Sequence, residues 1–226
     1  MRLRLFGALL LSGGIAMVVL AQQPRFGGGM GGGAFNAAPA RMLGSKTVQE
    51  ELKLSDDQIA QVKAVNEKTM EMFKDIPKDG TKEEKMEAFK KIGEKSAEEA
   101  EKLVKSLKPE QVTRLKELQL QVVGPALFTM DENAQKMLGL TEQAKKITLS
   151  DSQKEKFTET REAMGKEMQE FKGFDPDTKK KRDVIANEYK SKFVDILTPE
   201  QKKTWTEMIG KPVDIKFENP FGKRNK

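Results

Sequence analysis

The sequence predicts an all-α protein of two tandem units, each a long antiparallel helical hairpin with short flanking helices. Three observations predict it. Apolar residues recur at helical spacing from about residue 42 onward. Prolines beyond residue 41 fall between predicted helices, at a first helical turn or in the final segment. Last, a helix-start motif with leucine, a cap position and a glutamine three residues beyond the cap occurs four times.

The four copies are Leu54-Ser55-Asp56-Asp57-Gln58, Leu107-Lys108-Pro109-Glu110-Gln111, Leu149-Ser150-Asp151-Ser152-Gln153 and Leu197-Thr198-Pro199-Glu200-Gln201. Ser55, Ser150 and Thr198 are capping hydroxyls, each placed to accept an N3 amide hydrogen while the glutamine reaches back to the N-cap amide. Lys108 takes the cap position in the remaining copy. Pro109 and Pro199 sit at N1, where a missing N–H costs nothing and φ is preset. Leu54 and Leu107 are spaced to staple onto Ile59 and Val112.

The copies form two pairs, 53 residues apart for Leu54 and Leu107 and 48 for Leu149 and Leu197. Their flanks agree too: Val48-Gln49-Glu50-Glu51-Leu52-Lys53-Leu54 reads like Ala134-Gln135-Lys136-Met137-Leu138-Gly139-Leu140. The chain therefore reads as one unit used twice, over residues 42–128 and 130–221, with an insertion of nine residues after Leu140 in the second copy. There Thr141-Glu142-Gln143 is one residue short of a full box.

The elements follow in order. A short helix is expected from Thr47, with a box completed by Glu50. A long one follows Ser55, with Ile59, Val62, Val65, Met70, Phe73 and Ile76 on one face. Pro77, Asp79 and Gly80 break it, and Thr81 begins a partner helix that runs to Leu107. A shorter helix follows Pro109 and ends at Gly124-Pro125. In the second unit Ser150 opens a long helix, Gly173 stops it, Asp175-Pro176 caps the next, and Thr198-Pro199 starts the last. Val213, Ile215 and Phe217 alternate as a short extended segment does. A short turn between long helices makes them antiparallel neighbours, and twenty helical residues reach about 30 Å. With 6% aromatic residues such hairpins hold little apolar volume, so they must pack on each other.

Residues 1–21 carry Arg2 and Arg4 before an apolar run from Leu5 to Leu20, ending in Val19-Leu20-Ala21. This is the pattern of a secretory signal peptide with cleavage after Ala21; the alternative is an uncleaved anchor, for which the run is short. A periplasmic or otherwise exported location is expected. Removal leaves 39 basic and 35 acidic residues, a net charge of +4. Residues 22–41, with two triple-glycine runs, read as a flexible tether, and residues 222–226 as a basic tail. Charges of both signs interleave along the rest, the pattern of a solvated surface and not of a nucleic-acid patch.

The chain has no Cys and no His. Disulfides are excluded, the usual zinc and copper ligands are missing, and neither a Ser-His-Asp nor a Cys-His nucleophile system can be built. Acidic pairs such as Asp56-Asp57 and Glu83-Glu84 sit in first turns, where they favour the helix dipole. Sequence neighbours do not share a helix face, so none reads as a catalytic dyad. The expectation is therefore a non-enzyme with no cofactor and no metal. Gly93 and Gly165 inside predicted helices leave two readings open, close helix crossings or bends.

Export, an all-helical plan and Leu-Ser/Thr-x-x-Gln boxes before the long hairpin and at the last helix resemble the Spy/CpxP periplasmic proteins. The resemblance covers about 180 of the 226 residues. It implies a thin helical cradle and an ATP-independent chaperone. The alternative within the family is a regulator that binds the outer domain of a membrane sensor. One chain would then carry what those proteins obtain from two protomers, giving a monomeric pseudo-dimer. Candidate client-binding residues are Met70, Phe73, Met86, Phe89, Met164, Met168 and Phe171, with Lys90 and Lys172 among the basic heads around them. Polarizable thioethers suit surfaces that accept many partners, although methionine is also an ordinary core filler. The expected partners are unfolded protein clients or a membrane sensor, with no nucleic acid.

Overall fold

The computed structural model describes residues 36–77, 79–171 and 175–217. The segment read as a signal, the tether up to residue 35, Lys172, Gly173 and the basic tail lie outside the described residues. The described part falls in one compact unit and is helical throughout its regular structure, as expected. In chain order the helices are α1 (Pro39–Leu43), α2 (Lys46–Glu51), α3 (Asp56–Lys74), α4 (Lys82–Lys105), α5 (Pro109–Val123), a 3-10 turn (Gly124–Thr129), α6 (Glu132–Leu138), α7 (Thr141–Ala144), α8 (Asp151–Gln169), α9 (Pro176–Asp195) and α10 (Pro199–Ile209).

Helices α3 and α4 form the first hairpin and α8 and α9 the second. The pairing is antiparallel in each. Across the first, Gln58 meets Ser106 at the base, Ser96 meets Thr69 midway, and Phe73 meets Phe89 toward the turn. Across the second, Gln153 meets Ile196 at the base and Phe157 stacks on Phe193.

The repeat holds at the level of single backbone turns. At the end of α2, Lys53 N–H bonds Glu50 O and Leu54 N–H bonds Gln49 O. At the end of α6, Gly139 N–H bonds Lys136 O and Leu140 N–H bonds Gln135 O. Both are six-to-one helix terminations around a left-handed residue, Lys53 at φ 50° and Gly139 at φ 68°. The correspondence runs further back than the sequence flanks: Ala38-Pro39-Ala40 opens α1 as Gly124-Pro125-Ala126 opens the 3-10 turn. Ser45 and Asp131 then take the same N-cap position of α2 and α6.

Two local expectations are corrected. Helix α2 starts at Lys46 with Ser45 as N-cap, so the Thr47–Glu50 box does not form; the Ser45 hydroxyl donates instead to Lys216 O at 2.8 Å. The tether ends before Arg41, because Ala37 is buried, its carbonyl accepts from the Gln119 amide, and Pro39 opens α1. Across the first hairpin Lys68 reaches over from α3, and the Glu99 carboxylate accepts from both Lys68 and Lys102. The insertion after Leu140 becomes α7 and a turn whose Ala144, Ile147 and Leu149 are buried.

The core lies where the short helices gather at the bases of both hairpins. Met42, Leu43, Leu115, Leu118, Leu120, Leu127, Leu140 and Phe157 are the largest wholly buried hydrophobic side chains, and they come from both copies. Residues 211–217 run extended along this core with Val213, Ile215 and Phe217 turned in, the alternation expected of them.

Candidate functional site

The four motif glutamines do more than cap. In the first unit Gln58 Oε1 accepts from Ser55 N–H at 3.0 Å, and Gln111 Oε1 accepts from Lys108 N–H at 2.9 Å. Each side-chain amide also donates to the other's oxygen, at 3.0 and 3.2 Å, and Gln111 Nε2 donates to Leu52 O at 3.0 Å. In the second unit Gln153 and Gln201 exchange the same pair of bonds at 2.7 and 3.3 Å. Gln153 Nε2 adds Ile196 O at 2.9 Å, and Gln201 Nε2 adds Thr148 O at 2.8 Å. Each pair is a glutamine clasp that ties the start of the hairpin to the helix following it. It satisfies orphan amides and carbonyls at helix ends, which would otherwise cost about 1–3 kcal/mol each when buried.

The hydroxyl arms form as expected at Ser55, Ser150 and Thr198, which accept from the backbone N–H groups of Gln58, Gln153 and Gln201. Lys108 has no acceptor to offer, so its copy keeps the glutamine arm alone. Sequence reasoning found the boxes and their pairing but missed the clasp. The available sign was that glutamine persists at Gln111 where the hydroxyl is lost, which capping alone does not require. Leu107, Leu149 and Leu197 are buried beneath the clasps, and Leu54 is half-buried.

Helix α5 links the copies through polar side chains that the sequence reading passed over. Buried Gln119 donates to Ala37 O at 2.7 Å and to Leu138 O at 2.8 Å. Gln121 donates to Ile209 O and Lys211 O and accepts from Val213 N–H at 3.0 Å. Arg114 binds Glu51, Glu117 and Lys211 O. Burial works against the Arg114 charge, but the hydrogen bonds it donates to Glu117 and Glu51 outweigh this and raise its pKa.

The candidate client-binding residues separate into two environments. Met70, Phe73, Met86 and Phe89 are exposed by 37, 38, 44 and 48%. They lie toward the turn of the first hairpin, with the Phe73 and Phe89 rings 6.2 Å apart. Exposed Lys74 and Lys90 neighbour them in sequence, while Lys68 is engaged by Glu99 at 2.8 Å. Met164, Met168 and Phe171 of the second hairpin are half-buried and packed against the core, with Lys181 Nζ 5.6 Å from the Phe171 ring centre.

Gly93 and Gly165 sit in unbroken helices with open space where a Cβ would stand, so neither marks a close crossing. Among the described residues no helix is long and apolar enough to cross a membrane. Comparison with family models, with curated proteins and with solved structures returns no match.

Proposed function

We propose that this protein is an exported, ATP-independent holdase that captures apolar segments of unfolded chains on the end of its first hairpin. The observation that carries the reading is the exposed group of Met70, Phe73, Met86 and Phe89 toward the turn of the first hairpin, with the two rings in contact. Two methionines and two phenylalanines give adaptable apolar contact, and neighbouring ammoniums draw in acidic chains from a distance. The paired Leu-Ser/Thr-x-x-Gln motifs support the same reading through their likeness to Spy/CpxP proteins. In this reading the motifs act at a distance from the client, as clasps that hold the hairpin bases.

Aggregation of a reduced or heated client tests it. The purified chain should suppress light scattering at near-stoichiometric ratio without nucleotide. Phe73→Ser with Phe89→Ser should abolish most of that suppression and leave the melting temperature close to the parent's. No suppression at several-fold excess would sink the proposal. Capture of one dominant partner, a membrane sensor, in crosslinking within the envelope would replace it with the regulatory reading.

A further inference from the structure

A concave feature lies away from the exposed hairpin end, at the seam between the two copies. It is an open groove of about 540 Å³ between α5, α9, α10 and the extended segment 211–217. Val194, Trp205, Ile209 and Val213 supply apolar wall, and Lys190 of α9 enters from one side. Such a volume falls within the usual range for small-ligand sites.

Lys190 is the unusual member. Its stem lies against Gly124, where a Cβ would stand 3.3 Å from Lys190 Cγ, and Gly124 has φ 68°, so the backbone there leaves room for the lysine. Among the described residues its ammonium donates to Gln121 O at 3.3 Å and to no other acceptor, and no carboxylate lies within ion-pairing distance. Burial depresses its pKa, and the more distant Asp183 only partly offsets this. Asp195, on the groove rim, is held by Lys202 at 3.2 Å. A half-buried ammonium with unused donors beside apolar walls is complementary to an anion on an apolar chain. The first copy has no counterpart, because Ala100 takes the corresponding helix position and is closed over in the core.

We propose that this groove binds the carboxylate of a single acyl chain, with the head on Lys190 and the chain along Trp205 and Val213. A peptide chain end is the competing occupant, and the groove's polar groups argue against it. A bound peptide needs partners for its own amides. The Gln121 side chain is consumed by Ile209 O, Lys211 O and Val213 N–H, and Ser191 Oγ donates to Asn187 O. An acyl carboxylate asks only for the ammonium and the apolar wall.

Trp205 is the only tryptophan of the chain, so its emission reports on this groove directly. The full chain is titrated with laurate below its micelle concentration, with dodecanol as uncharged control and with a short peptide ending in leucine. Laurate should shift the emission saturably at one equivalent. Dodecanol should bind about tenfold more weakly, the scale of one charge-assisted contact. Lys190→Met should lose the same factor with its melting temperature kept or raised, and Lys190→Arg should retain binding. Phe73→Ser with Phe89→Ser should leave the laurate titration unchanged, which separates this site from the client surface. Equal binding of dodecanol, or full laurate binding by Lys190→Met, would overturn the proposal as unspecific apolar adsorption. Tighter binding of the peptide than of laurate would overturn it in favour of a chain-end site.

Discussion

In the first hairpin α3 buries Val62 alone, and α4 buries Ile92, Ala100 and Leu103. In the second, Phe157, Ile185, Tyr189 and Phe193 are buried, and the Phe157 and Phe193 rings stack at 5.2 Å. Both arms start from the same clasp, so the difference lies beyond the base. Counted from their clasp leucines, Val62 corresponds to Phe157, and Glu99 corresponds to Tyr189. Where the second arm is filled with aromatic volume, the first is crossed by Lys68–Glu99–Lys102 in water. Each arm buries four apolar residues, but those of the first are aliphatic and smaller, so less apolar area opposes its local opening, and the exposed aromatic cluster sits on that arm. The duplicated hairpins thus differ in what they bury: the second places aromatic rings in the shared core, and the first leaves an aromatic pair exposed near its turn.

The largest test of this contrast is truncation at the matched pair. Phe157→Ala should cost about 3–5 kcal/mol, because a fully buried ring leaves a cavity in the shared core. Val62→Ala removes two methyl groups at a thinner site and should cost about 2 kcal/mol. Urea denaturation of both variants reads the difference directly. Equal losses would mean that the first arm is packed as tightly as the second, and the contrast would fail.

A smaller effect tests whether the two bases are as alike as their hydrogen bonds. Lys53 holds a left-handed φ of 50° at the position of Gly139. That conformation costs a residue with a Cβ about 1–2 kcal/mol, which glycine avoids. Lys53→Gly should therefore stabilise the protein by about 1 kcal/mol, and Gly139→Lys should destabilise it by a similar amount. Opposite shifts in melting temperature are expected. Shifts of the same sign would show that the two terminations are not equivalent.

Much of this was legible in the residues. Capping chemistry is local, so Ser55, Thr81, Ser150, Asp175 and Thr198 mark their helix starts without knowledge of the rest of the fold. The motif pairs give the hairpins, because their spacing is the length of two helices and a turn. What stayed hidden depends on distant partners. Ser45 turns from capping to Lys216 O, 171 positions away, and no local pattern foretells that. The clasps need two glutamines 53 or 48 positions apart to meet face to face. The seven candidate apolar contacts looked alike in sequence. Only the packing of Met164, Met168 and Phe171 against the core separates them from the exposed four.

The smallest expected effect distinguishes the arms by pH. Hydrogen bonds from Lys68 and then Lys102 hold the Glu99 carboxyl below its usual 4.5. A depressed acid contributes stability that is present above the unfolded pKa and is lost as pH falls through the folded one. Tyr189 is shifted the other way, raised above its usual 10.0 first by burial and then by its hydrogen bond to Glu167. The unfolded chain then releases that proton more readily, so stability falls as pH rises past about 10. Matched positions should therefore fail at opposite ends of the scale, the first arm in acid and the second in alkali. Melting temperatures measured from about pH 3 to about pH 11 check this, with Glu99→Gln flattening the acid limb and Tyr189→Phe the alkaline one. Added salt should shrink the Glu99 contribution, since its partners are exposed, and leave the buried Tyr189 contribution nearly intact. Asp151 and Asp175 of the second hairpin are depressed as well, by Lys154 and by the Thr178 backbone amide. Glu101 of the first arm, bonded by Lys105, and Glu142, bonded by Lys145, are depressed too. If Glu99→Gln leaves the acid limb as steep as before, Glu101→Gln flattening it keeps acid sensitivity on the first arm, and Asp151→Asn or Asp175→Asn flattening it moves that sensitivity to the second.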